Sequence, residues 1–152
     1  MEASFNFPVL GISHDNDVWG FPDLRRLTTC GPRTLKDGMQ RDLELIDAQG
    51  QRWVVTSVRT IGPAGSIPGR WFSTLLTGKP QFRIEHELKA LEPLSVGEVK
   101  DRVCAAMRAH PDFWCEPDER DTVLRERIAD VQATKTIVDI HETLGLDTFE
   151  GY

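Results

Sequence analysis

The chain has 152 residues, 39% of them hydrophobic and 28% charged, with a formal net charge of -6. That length suits one domain, residues 1–152, able to remove roughly 70% of its unfolded surface from water without disulfides or a metal. The acidic balance, with basic residues scattered apart from Arg25-Arg26, argues against a phosphate-gripping surface and so against direct nucleic-acid binding. No run approaches the ~18 apolar residues of a membrane span. The start, Met1-Glu-Ala-Ser-Phe5, lacks the basic and apolar stretches of a secretory signal, which sets a cytoplasmic expectation.

In chain order, residues 5–12 read as a strand interrupted by Pro8, residues 14–20 as a loop, and residues 22–28 as a short helix with Pro22 in its first turn. A hairpin follows. Leu43 and Leu45 alternate with polar neighbours, residues 47–50 supply the turn, and Trp53, Val54, Val55 and Val58 carry β-favouring side chains. Residues 62–70 hold three glycines and two prolines and read as a loop. It is a poor phosphate cradle. Gly69 is followed by Arg70-Trp71 instead of lysine and a hydroxyl, and the prolines remove backbone donors. Residues 71–76 read as a further strand closed by residues 77–80, and residues 82–90 as the next.

The period then changes. Ser95 and Glu98 fit a capping box, and Val99, Val103, Ala106 and Met107 recur on one helical face until His110-Pro111 stops it. A second helix is predicted over residues 118–132, with Leu124, Ile128 and Val131 inward. A third is predicted over residues 135–144, closed by Gly145. Strands followed by helices predict an α+β domain: a mostly antiparallel sheet of about four or five strands with about three helices packed on it.

The most chemically suggestive stretch is Glu85-His86-Glu87. Side chains alternate along a strand, so Phe82, Ile84, His86, Leu88 and Ala90 share one face and Arg83, Glu85, Glu87 and Lys89 the other. His86 therefore points away from both carboxylates and reads first as an imidazole bonded within the fold. As a general base it needs partners from other elements. Glu85 and Glu87 are about 7 Å apart as a carboxylate pair, but Arg83 and Lys89 beside them suit charge balance better than acid catalysis.

The other histidines are weaker candidates. His14 with Asp15 and Asp17 opens like a calcium loop but lacks the glycine and closing glutamate of one. His110 sits at a helix end, and His141 lies two residues from Asp139, on a different helical face. Cys30, Cys104 and Cys115 form no CxxC pair, and Cys104, near Val103 and Met107, reads as a small buried hydrophobe. No GxSxG or GxGxxG occurs, and no metal or other cofactor is expected. Trp19, Trp53, Trp71 and Trp114 are read mostly as core or edge-covering rings.

The stretch from Gly20-Phe21 through Leu35-Lys-Asp-Gly38 to "LELIDAQGQRWVV" and Gly62 resembles small bacterial immunity-like proteins of polymorphic-toxin systems. The likeness covers at most half of the chain and consists of a hairpin pattern. It implies stoichiometric binding and neutralisation of a cognate toxin, with no chemistry of the chain's own. The leading expectation is thus a non-enzymatic protein-binding domain with a protein partner, a basic toxin domain being the suited kind. Its contact residues would be Glu85 and Glu87 on the sheet and Glu116, Asp118, Glu119 and Asp121 in the acidic segment. That segment also reads as a solvated helix start. Two other readings stand beside it: a small hydrolase or ligand-binding enzyme built on His86, and a self-associating structural or regulatory subunit.

Overall fold

The computed structural model describes residues 4–30, 40–63 and 82–146. Its strands are β1 (Val9–Ile12), β2 (Val18–Phe21), β3 (Thr29–Cys30), β4 (Glu44–Ile46), β5 (Arg52–Pro63) and β6 (Phe82–Leu91). They form one curled antiparallel sheet in the order β2-β1-β4-β5-β6-β3. The helices are α1 (Leu24–Leu27), α2 (Val96–Ala109), α3 (Pro111–Trp114), α4 (Arg125–Ala133) and α5 (Ile137–Leu144). The α+β expectation holds, with six strands among the described residues instead of four or five.

Around β1 and β4 the sheet is buried on both faces, because these strands carry apolar side chains on both. All of Val9-Leu10-Gly11-Ile12 is buried, the pattern of a strand with no solvent side. Leu10, Ile12 and Ile46 meet Val99, Val103, Met107, Val131 and Ile140 from the helices. Val9, Leu45 and Val55 project to the opposite face, where they join Phe21, Leu27 and Leu43, with Phe5, Phe7, Trp19, Val58 and Leu88 packed around them. Burial on this scale, about 25 cal/mol for each Å² of apolar surface, is what holds helices and sheet together.

Several boundaries differ from the sequence reading. The first strand begins at Val9, after Pro8, whose ring nitrogen has no proton to give a ladder. The loop expected over residues 14–20 ends early. Ser13 Oγ accepts from the Asp17 backbone at 3.0 Å, Asn16 takes a left-handed φ of 65°, and Val18–Phe21 then pairs back on β1. The short helix α1 is capped by Asp23, whose carboxylate accepts from the Arg26 backbone at 2.8 Å.

The β4–β5 hairpin turns where predicted. The buried Asp47 Oδ1 accepts from the backbones of Gln49 at 2.9 Å and Gln51 at 3.0 Å. Gly50 closes the turn at φ 84°, and a Cβ there would stand 2.3 Å from the Leu94 carbonyl oxygen. The same Gly50 carbonyl accepts from Leu94 at 2.9 Å, tying the turn to the chain leaving β6. Strand β5 takes in Gly62 and Pro63. The rest of the loop to residue 70, the strand expected over 71–76 and residues 35–38 of the resemblance lie outside the described residues.

Helix α2 starts as its sequence requires: Ser95 Oγ accepts from the Glu98 backbone at 3.2 Å while Glu98 reaches back to the Ser95 backbone. Its predicted inward positions, Val99, Val103, Ala106 and Met107, are all buried. The helix expected over residues 118–132 is broken into a 3-10 turn (Pro117–Glu119), a π turn (Arg120–Leu124) and α4. Leu124 and Ile128 are half-buried and Val131 is buried, so the apolar stripe survives the break. Helix α5 is capped by Thr136 and ends on Gly145 at φ 65°.

Candidate functional site

Strand β6 presents its two faces as alternation dictates, with Ile84 buried, His86 and Leu88 half-buried, and Arg83, Glu85, Glu87 and Lys89 exposed. His86 lies across from Val58 and beside Leu88, at the margin of the second core. Its Nε2 is 2.5 Å from Oε1 of Gln40, a residue only 3% exposed. The amide oxygen can only accept, so Nε2 carries the proton and donates. Burial pushes the imidazole down from 6.5 to about 4 by penalising its charged form. His86 is therefore a neutral, inward-facing donor to an amide. Among the described residues no carboxylate or thiol joins that hydrogen bond.

The carboxylates on the other face engage their own sheet. Glu85 meets Arg59 at 2.5 Å, and Glu87 accepts from Ser57 Oγ at 2.8 Å. These partners come into line through a bulge in β5 between Val55 and Ser57. The surplus residue, Thr56, donates its hydroxyl to the Glu87 carbonyl at 3.1 Å. With Arg59, Arg83 and Lys89 beside Glu85 and Glu87, this exposed face is balanced in charge, not acidic. The Arg59–Glu85 pair is open to water on both sides and adds little stability.

The acidic segment is different. Glu116, Asp118 and Glu119 are exposed on the 3-10 turn and the residue before it, and Asp121 falls within the π turn. Three residues before Glu116, Phe113 is 55% exposed and stacks edge-on against buried Trp114, with ring centres 5.1 Å apart. Carboxylates and an exposed aromatic ring thus neighbour one another in sequence among the C-terminal helices. The reading of these acids as a helix start meets a different arrangement, since they lie on the 3-10 and π turns and α4 begins at Arg125.

Other polar groups bind the fold together. Half-buried Glu44 on β4 accepts from Arg52 of β5 at 2.9 Å and Arg102 of α2 at 2.6 Å. Burial raises the Glu44 carboxyl, but the hydrogen bonds and charges of Arg102 and Arg52 outweigh it and hold the group below its ordinary 4.5. His110, at the end of α2, donates from Nε2 to the Asp15 carbonyl, with Asp17 4.0 Å away, and so pins the β1–β2 turn to the helices. His141 is buried on α5. Cys30 and Cys104 are buried, burial pushing Cys30 up to about 11, and Cys115 is half-buried with its thiol 3.4 Å from the Pro111 carbonyl. Raised thiols are poor nucleophiles near neutral pH.

Among the described residues no group of three or more His, Cys, Asp or Glu could hold a metal ion, and no helix is long and apolar enough to cross a membrane. The sequence reading missed Gln40, Glu44, Arg52 and Arg102. Gln40 meets His86 across 46 residues and Arg102 meets Glu44 across 58, separations that no local spacing signals, whereas Arg52 and Glu44 lie 8 residues apart across the β4–β5 hairpin. No family model, curated protein or solved structure matches the chain.

Proposed function

We propose that the chain is a non-enzymatic protein-binding domain that acts by stoichiometric association, with the neutralisation of a basic toxin domain as its role. The observation that carries the reading is the exposed run Glu116, Asp118 and Glu119 following the exposed ring of Phe113. Acidic side chains next in sequence to an exposed aromatic ring suit a basic partner: the charges speed encounter and the ring supplies contact area. The net charge of -6 adds to the steering. On the sheet, Glu85 and Glu87 are exposed as a contact surface requires, but Arg59 and Ser57 already engage them. The surface around Phe113 and the acidic run is therefore the primary one in this reading, and the β5–β6 face a secondary one.

The test is co-purification with the C-terminal domain of a toxin encoded beside this chain, together with rescue of growth on co-expression. A combined Glu116→Lys, Asp118→Lys and Glu119→Lys variant should slow association by roughly 10- to 100-fold at low salt, with the difference shrinking as salt rises. Phe113→Ala should act on dissociation instead. Absence of binding at micromolar concentration to the adjacent toxin domain would defeat the proposal. Binding left intact by all four substitutions would move the interface elsewhere.

A further inference from the structure

We draw no further inference here: the strongest candidate, the outer edge of β6 over residues 85–91, which no strand among the described residues pairs, carries nothing because nothing in the structure shows what covers it.

Discussion

The carboxylate of Glu44 and the guanidinium of Arg102 meet at 2.6 Å across 58 residues of sequence, joining the centre of the sheet to its longest helix. Arg52 adds a second guanidinium from β5. The glutamate side chain is 14% exposed and Arg102 41%, so the two ends of the contact are unequal. Glu44→Ala leaves two arginines facing each other without their shared anion and is expected to cost about 2–3 kcal/mol, below the range for a fully buried pair. Arg102→Ala leaves Glu44 still paired with Arg52 and is expected to cost about 1 kcal/mol. Urea denaturation with an unchanged slope checks both values. Equal, negligible losses would mean that water screens the whole cluster.

Stability should fall on mild acidification, and His86 sets the window. Its folded value of about 4 lies below the ordinary 6.5, so between those values the unfolded chain binds a proton that the folded chain does not. Its contribution is fully present above pH 6.5 and is lost as pH falls toward 4, about 3 kcal/mol in all. Glu44 acts in the same direction at lower pH. Its depressed value gives stability that is present above the ordinary carboxylate range and lost as pH falls through the folded value. Denaturation midpoints of wild type and His86→Gln across pH 4–7 should show a flatter profile for the variant. An NMR titration that places the His86 midpoint near 6.5 would overturn the assignment.

Gly20 on β2 lies against α5 and the residues just after it. A Cβ at that position would stand 2.3 Å from the Leu146 Cβ and 2.8 Å from His141 Nε2. Because the Leu146 Cβ is fixed to backbone, Gly20→Ala forces the strand and the helix end apart. The expected cost is about 2–3 kcal/mol, near the top of the usual overpacking range, or a melting point lower by about 5–10 °C. Gly97→Ala serves as the counterpart, since the nearest atom there is Ser95 Oγ at 3.9 Å. It lies in the first turn of α2 and should gain up to about 0.5–1 kcal/mol from the better helix former. A calorimetric scan reads both, and a neutral Gly20→Ala would refute the close approach.

What the sequence disclosed follows the range of the forces involved. The Ser95/Glu98 cap, the Val99–Val103–Met107 stripe and the Gly145 stop act within one or two turns, and all are present as read. Alternation along β6 separated His86 from Glu85 and Glu87 for the same reason. Strand β2 was illegible because four residues, Val18-Trp-Gly-Phe21, carry no alternation of their own and become a strand by pairing with β1. The break in the helix over residues 118–132 was illegible too, since the apolar spacing of Leu124, Ile128 and Val131 continues through it. The partner of His86 lies 46 residues away at Gln40, and the partners of Glu85 and Glu87 depend on a bulge that shifts the register of β5. Local periodicity tells which way a side chain points. It does not tell what waits there.

Asp47 ties two separate segments of the chain together. It is fully buried, and its carboxylate accepts four hydrogen bonds. Two come from the Gln49 and Gln51 backbones in the hairpin turn. The other two come from the backbone and side chain of Asn6, each at 3.2 Å. One side chain therefore fixes the β4–β5 turn and anchors the segment that leads into β1. Asp47→Ala removes the acceptor and strands backbone donors, for an expected loss of about 2–4 kcal/mol. Asp47→Asn is the sharper probe. Its oxygen can still accept from Gln49 and Gln51, but its amide would face the Asn6 donors, so the turn should persist while the N-terminal segment loosens. Amide hydrogen exchange separates the two effects. In Asp47→Asn, protection should drop at Asn6 and Ala48, whose own N–H bonds the Asn6 carbonyl at 2.8 Å, and hold at Gln51. Uniform loss across the hairpin would show that the carboxylate charge, and not the geometry of its acceptors, holds the turn.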